Sequence, residues 1–352
     1  MKALVTGSSG LLGHCLVERL EQRGDTLQLV DIAEPEGPGH KGDHPLSLMD
    51  ISEPNALDEL ARGQDVIYHL AAAQRMKPQF QWTEERIYTS NLEAVRNVLG
   101  AAERQGVPKV VHVSSSGIYG VPQTVPVKED HVQDPLGSYG ESKIEAETLC
   151  AESLERGLDV TAVRPMTLFG PRMTGVFTIL FEWVRRGKPV FLLGSGRNRV
   201  QGVSSWDVAD ALIASVGSSS SKGAMVNLGT ESEGVPTVRE WTEGLIRHAG
   251  GGSPVVCIPA ALLRNSARVL DVFGVSPIVP EHYKLADSDF VLDIRAAKEA
   301  LPGWSPKYSN HQMLAEAYDW YVGLSDEQRP QQHVVLRMLN GTMPSFRGKP
   351  DA

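Results

Sequence analysis

The chain is expected to fold as an α/β protein, with a doubly wound parallel sheet followed by a smaller, mixed α/β C-terminal part. Three observations predict this. Short apolar, β-branched runs alternate with helical patterns through the first half of the 352 residues. A glycine-rich loop stands between the first such run and the first helical pattern. The alternation loosens after Pro165, and the region past Gly229 is richer in Pro and Gly.

The elements follow in order. Leu4-Val5-Thr6 reads as the first strand. Leu12, Leu16 and Leu20 then share a helical face, and Gly24 is placed to stop that helix. Leu27 to Ile32, Asp65 to Leu70 and Lys109 to Val113 read as further strands, with a helix over about 91–104 before the last of these. A longer helix is predicted from Tyr139 to Arg156, and a strand from Asp159 to Arg164. Beyond it, Phe177 to Arg186 and Trp206 to Ser215 read as helical. Val190 to Leu193 reads as a strand, and Ala224 to Leu228 as a strand returning to the sheet. Residues 217–221 read as a surface loop. Residues 1–165 are therefore expected to form a nucleotide-binding part, to which 199–230 return. Residues 166–198 and 231–324 are expected to form a substrate-binding part, and 325–352 a polar tail.

Composition narrows the function classes. The chain is 41% apolar and 22% charged, which suits a packed core. Its net charge of −9 argues against a nucleic-acid partner, which favours a basic patch. No apolar run approaches the about 20 residues of a membrane helix. The N-terminus runs straight into a strand, so no leader peptide and no membrane association are expected. Cys15, Cys150 and Cys257 are sparse and lack a CxxC spacing, which predicts no disulfide framework, no metal site and a cytoplasmic location.

The first loop reads Thr6-Gly7-Ser8-Ser9-Gly10-Leu11-Leu12-Gly13, with G-x-x-G-x-x-G spacing. Glycines let the backbone turn tightly and approach a pyrophosphate, and the helix N-terminus adds free N–H groups. Asp31 ends the second strand, where a carboxylate accepts hydrogen bonds from an adenosine ribose and repels an extra phosphate. No arginine follows it directly, so the expected cofactor is NAD.

Tyr139 and Lys143 stand at i and i+4 of the predicted long helix and share one face. Ser114-Ser115-Ser116 end the KVVHV strand, where ligand crevices of parallel sheets lie. The phenol pKa of about 10 must fall to about 7 for Tyr139 to act as a base at neutral pH. A neighbouring ammonium and a cationic nicotinamide ring both favour the phenolate. A serine hydroxyl could hold the substrate oxygen. His69 and His112, in predicted buried strands, read as satisfied core histidines, and Trp206 as a packing residue.

Ten stretches together resemble a known family. They are TGSSGLLG (6–13), Asp31, Asp50-Ile51, HLAA (69–72), Asn91, SSSGIYG (114–120), YGESK (139–143), RPMTLFGPR (164–172), NRVQGVSSWDVADA (198–211) and DIRAAKEALPGWSPKYS (293–309). In order and spacing they are similar to the extended short-chain dehydrogenases/reductases, the NAD-dependent sugar-nucleotide epimerases and dehydratases. The resemblance implies a Rossmann-type sheet and a set of roles. Gly7, Gly10, Leu11, Leu12 and Gly13 would cradle the pyrophosphate. Asp31 would bind the ribose, and Asp50 and Ile51 would flank the adenine. Leu70, Ala71 and Ala72, with Asn91 and Ser114, would line the cofactor's middle. Pro165, Met166 and Thr167 would approach the nicotinamide. Tyr139 would be the base, with Lys143 lowering its pKa and holding the nicotinamide ribose. The family's catalytic serine falls on Ser115, with Ser116 as the alternative. Both would touch substrate beside Tyr139. Arg172 and Arg199 would hold the substrate diphosphate, a surface salt bridge being the other reading of each.

The resemblance also bears on the reaction. Family dehydratases carry an Asp-Glu pair directly after the catalytic hydroxyl residue, and Ser116-Gly117 stand there instead. Family decarboxylases carry a glutamate nearby, also absent. What remains is oxidation and reduction at one sugar carbinol, foremost 4-epimerisation of a nucleotide-activated sugar. A dehydrogenase of a 3β-hydroxysteroid-like or other secondary alcohol is the alternative, and a non-catalytic NAD-binding sensor a minor one. A homodimer is expected through the two long helices, although Glu141, Glu145, Glu147 and Glu152 leave a monomer open.

Overall fold

The computed structural model describes residues 1–35, 42–74, 83–173, 175–258, 285, 287–325 and 328–329. The expected polar tail, 325–352, lies outside the described residues except at 325, 328 and 329.

The first half alternates strand and helix as its sequence predicts. Strand β1 (Lys2–Thr6) leads into α1 (Leu11–Arg23), then β2 (Thr26–Asp31), β3 (Leu46–Leu48), α2 (Asp58–Ala61) and β4 (Val66–His69). Helix α3 (Glu84–Gln105), β5 (Lys109–Val113), α4 (Ser138–Glu155) and β6 (Asp159–Pro165) follow. Helix α1 ends at Gly24, whose φ of 80° only glycine adopts without strain. Helix α3 starts seven residues before the expected Asn91. The Thr83 hydroxyl accepts from the Arg86 N–H, and Glu84 and Glu85 favour the positive end of the helix dipole.

The second half is built from β7 (Thr167–Phe169), α5 (Val176–Arg185), β8 (Val190–Leu193), β9 (Gly202–Ser204), α6 (Ser205–Ala214), β10 (Met225–Leu228), α7 (Val238–His248) and β11 (Val255–Ile258). It closes with α8 (Arg295–Ala300) and α9 (Asn310–Gly323). Seven strands form one parallel sheet in the order β10-β6-β5-β4-β1-β2-β3. Strands β8 and β11, and β7 and β9, pair in parallel outside it.

The central strands β4 and β5 are buried on both faces, as their Val- and Ile-rich runs lead one to expect. Their period of two divides the core. Ala3, Val5, Val66, Tyr68, Val111 and Val113 face one apolar cluster with α1, α6 and α8. Leu4, Ile67 and Val110 face the other, with α3 and α4. A third cluster joins Phe169, Phe181, Trp241, Leu245, Met313 and Tyr318 of the second half. Asp207 ties this part to the sheet. Its carboxylate accepts from the Lys307 N–H at 3.0 Å and the Tyr308 N–H at 3.2 Å, and its carbonyl accepts from Trp304 Nε1 at 2.8 Å. The expected surface loop at 217–221 is partly interior, since Ser221 is fully buried and its hydroxyl donates to the Ser215 carbonyl at 2.6 Å. None of the described helices is long and apolar enough to cross a membrane.

Candidate active site

The C-terminal ends of β1, β2, β4, β5 and β6 open on one edge of the sheet. The chain runs outward from β1 to β2 and β3, then returns beside β1 with β4. Ligand crevices of open parallel sheets form at such a switch point. The glycine loop leaves β1 there and lies against the segment leaving β4.

The three glycines answer different demands. At Gly7, φ is 76° and an added Cβ would stand 2.6 Å from the Ala71 backbone nitrogen. At Gly13 a Cβ would stand 2.2 Å from the Gly7 carbonyl oxygen. Both are required by the fold. A Cβ on Gly10 would meet only the Gly7 oxygen, at an ordinary 3.4 Å. The protein leaves space over Gly10, directly at the N-terminus of α1, where backbone N–H groups can take an anionic group. These residues fit a dinucleotide pyrophosphate. Asp31 stands beside the loop and accepts from the Ser9 N–H at 2.9 Å and the Ile32 N–H at 2.7 Å.

The remaining expected cofactor residues line the same edge. Asp50 closes a turn by accepting from the Ser52 N–H at 3.0 Å, and Ile51 beside it is buried. The Leu70 N–H donates to the Thr6 carbonyl at 3.0 Å and continues the β1–β4 ladder. Asn91 is buried and clamps Ala73 twice, at 2.6 and 3.1 Å, while donating to Ser142 Oγ at 3.1 Å. It fixes the segment from Leu70 to Ala73 rather than pointing into open space. Pro165 ends β6, the Met166 N–H donates to the Leu228 carbonyl at 2.8 Å, and Thr167 begins β7.

The three serines diverge. Ser114 Oγ donates to Glu147 Oε1 at 2.6 Å, away from the crevice. Ser116 Oγ donates to the Met166 sulfur at 3.4 Å. Ser115 precedes a short 3-10 turn, accepts from the Gly117 N–H at 3.0 Å, and lies with the Tyr139 ring over Gly117, where its hydroxyl favours the phenolate. The structure therefore brings Ser115, and not its neighbours, to Tyr139. Gln74 Nε2 reaches the same phenol oxygen at 3.2 Å. Burial pushes the Tyr139 phenol above its usual range, and Gln74 and Ser115 oppose that push.

Lys143 lies one turn along α4. Its Nζ donates to the Val113 carbonyl at 2.8 Å and stands 5.7 Å from the centre of the Tyr139 ring. Burial lowers its pKa to about 8. Between about 8 and the unfolded value of about 10.4, the unfolded chain binds more protons, so this group's contribution to stability rises with pH. The parent protein is expected to gain stability relative to Lys143→Met as pH rises through that window, as scanning calorimetry at matched pH would show. Turnover that depends on the ammonium is expected to fall as pH passes about 8.

Next along α4, Glu147 and Arg164 form a buried pair, Nη2 to Oε2 at 2.6 Å and Nε to Oε1 at 2.8 Å. Arg164 Nη1 continues to Tyr119 Oη at 2.8 Å, and Tyr119 Oη donates to Asn227 at 2.7 Å. Two histidines stack behind the site with ring centres 5.3 Å apart. His69 bonds Thr6 Oγ1 at 2.7 Å, and burial lowers its pKa to about 3. His112 departs from the expected satisfied core histidine, for neither ring nitrogen has a hydrogen-bond partner among the described residues. Burial and the nearby Lys143 keep it neutral.

The expected diphosphate arginines separate. Arg199 pairs with Asp289 through Nε at 2.9 Å and Nη2 at 2.6 Å, about half exposed. Arg172 is nine-tenths buried in a left-handed backbone position with φ of 70°. Sequence reasoning missed Gln74, Glu147 and Arg164. Glu147 carried a signal, since it continues the i, i+4 row from Tyr139 and Lys143. Among the described residues, no group of His, Cys, Asp and Glu could hold a metal ion.

Comparison with known proteins agrees with this geometry. The sequence model of the NAD dependent epimerase/dehydratase family matches residues 3–229. The uncharacterized protein y4nG of Sinorhizobium fredii is 35% identical over 321 residues, 91% of this chain and 78% of that protein. The UDP-N-acetyl-alpha-D-glucosaminuronate decarboxylase of Bacillus cytotoxicus is 30% identical over 277 residues, 73% of this chain and 83% of that enzyme. The solved structure of MoeE5 in complex with UDP-glucose and NAD matches with a TM-score of 0.72 at 25% identity, over 91% of this chain and 98% of that chain.

Proposed function

Because the chain belongs to the NAD-dependent epimerase/dehydratase family, with NAD as its cofactor, we propose that it performs 4-epimerisation of a nucleotide-activated sugar. The observation that carries this reading is the convergence of Ser115 and Tyr139, with Lys143 one turn behind. The residues following Ser115 are a serine facing Met166 and a glycine, so neither adds an acid or base for expelling water. Bound NAD supplies hydride acceptance and return. In this reading the glycine loop and Asp31 bind it, Ser115 holds the carbinol oxygen, and Tyr139 takes the hydroxyl proton as the C–H hydride leaves. After the ketone turns over, Tyr139 returns the proton to the carbinol oxygen while Ser115 holds it, and the hydride would come back from the reduced cofactor, which ends unchanged. Arg172 is retained as a diphosphate ligand, while Arg199 would first have to leave Asp289. The reading also makes the protein a cytoplasmic homodimer through α3 and α4, which would set the exposed Glu141, Glu145 and Glu152 against a second copy.

One observation favours a second reading. The relative from Bacillus cytotoxicus is a decarboxylase. Oxidising a hydroxyl β to a carboxylate gives a β-keto acid, which loses carbon dioxide without a further acid or base. The missing glutamate therefore does not disfavour net oxidation of a nucleotide-linked uronic acid.

One panel separates these outcomes. The purified protein with NAD is incubated with UDP-, GDP-, CDP- and dTDP-linked hexoses and hexuronic acids, and with 3β-hydroxysteroids and other hydrophobic secondary alcohols. Products are followed by chromatography, NADH by absorbance and carbon dioxide by trapping. Epimer formation without net NADH is the expected result. Carbon dioxide release would favour the second reading. NADH formation confined to steroid or other hydrophobic alcohols would overturn both.

A further inference from the structure

We propose that Gln74 is a further catalytic group at the Tyr139 hydroxyl, its side-chain amide donating to the phenolate while the proton is being transferred. The proposal rests on reading Tyr139 as the base.

Three features point to it. First, Gln74 Nε2 lies 3.2 Å from Tyr139 Oη, joining residues 65 positions apart. The chain just before it is fixed. Leu70 is held by the β1–β4 ladder, and Ala73 is clamped on both sides of its peptide by the buried Asn91. Gln74 is therefore delivered to the phenol by an anchored segment.

Second, the other donors have claims elsewhere, Ser115 on the substrate oxygen and Lys143, through one of its three N–H bonds, on Val113. Ser115 Oγ already accepts from the Gly117 N–H and has one hydrogen to give. During the reaction that hydrogen turns to the substrate oxygen and leaves the phenol. Lys143 Nζ is held on the Val113 carbonyl, and burial weakens its hold on the proton. Gln74 has no other hydrogen-bond partner among the described residues. It is the donor that stays on Tyr139 when Ser115 turns to substrate.

Third, an amide suits both protonation states. A neutral phenol can donate to the amide oxygen or accept from the amide nitrogen, whereas a phenolate can only accept. Turning the amide over serves both states. A leucine offers neither contact, and a glutamate offers only acceptors and a like charge.

The test reads Tyr139 directly and needs no substrate. NAD-loaded parent, Gln74→Leu and Gln74→Glu proteins are titrated by tyrosinate absorbance, each against the same background carrying Tyr139→Phe, so that the difference isolates one tyrosine. The expected order of titration is parent, then Gln74→Leu, then Gln74→Glu. The parent should lie about one to two pH units below Gln74→Leu, as a hydrogen bond to a charged group implies. The alkaline-going limb of kcat/KM, on whichever sugar the panel identifies, should move by the same amount. A side chain that merely packed would leave the parent and Gln74→Leu titrating together, since the charge of a glutamate raises the phenol in either case. If Tyr139 titrates but the parent and Gln74→Leu coincide, this proposal fails and the assignment of the base stands. If no titration distinguishes the parent from Tyr139→Phe, the assignment of the base fails and takes the proposal with it.

Discussion

Tyr139→Phe is expected to lower kcat by about a hundred- to ten-thousand-fold, the range contributed by a positioned acid or base. NAD should stay bound with little change in affinity, because the glycine loop, Asp31 and the Leu70–Ala72 segment do not depend on the phenol. The substitution removes one oxygen and leaves a ring of nearly the same volume, so packing is preserved. It also removes the shared partner of Ser115 and Gln74. Both are polar groups at an accessible edge, and water can replace the lost oxygen at modest cost. Melting temperature should therefore change little while turnover collapses. NAD affinity by isothermal calorimetry and single-turnover kinetics on the identified sugar check both halves. Residual activity near the parent level would remove Tyr139 from the mechanism. Loss of NAD binding would show instead that the phenol matters to the cofactor site.

Much of this arrangement can be read from residues alone, for physical reasons that also mark where reading stops. Strands β4, β5 and β6 announce themselves because a parallel strand buried on both faces is rich in Val, Ile and Ala, even where it carries a buried polar residue such as Thr161 or Arg164. Strands β3, β7 and β9 have three residues each, too short to express any period. Helix α7 is different. Thr237 and Glu240 form a capping box in which each side chain bonds the other's backbone, a signal present in the sequence that the looser pattern around it obscured. Tyr139 and Lys143 are legible because they share one helix. The serine register is not, since three identical neighbours differ only in what the fold sets opposite them: Glu147, Tyr139 and Met166. Gln74 is invisible to spacing, because its contact with Tyr139 depends on β4 and α4 meeting across the crevice. Arg199 shows the converse, since its role turns on Asp289, which lies 90 positions away.

Glu147→Gln is expected to destabilise the protein by about 3–5 kcal/mol, the cost of leaving one member of a buried ion pair without its partner. Both side chains are about nineteen-twentieths buried, so solvent cannot repair the loss. Arg164 would keep its charge in the interior, and Ser114 would lose its carboxylate acceptor. The double variant Glu147→Met/Arg164→Met separates stability from positioning. Two apolar side chains of similar length remove both charges at once, and such replacements are often neutral or stabilising. Melting temperature should then recover most of what the single variant loses. If the pair only holds the fold together, kcat should recover with it. The geometry leads to the opposite expectation. Glu147 fixes Ser114, whose neighbour Ser115 meets Tyr139, and Arg164 holds the Tyr119 hydroxyl at the end of the same serine turn. With both charges gone the turn loses its two ionic anchors and keeps only the bond from Tyr119 to Asn227 and its own internal contacts. The double variant should therefore melt near the parent temperature and still turn over more slowly, with kcat reduced more than KM is raised. That combination would make the buried pair a positioning device for Ser115, whereas recovery of kcat in step with stability would confine it to the fold.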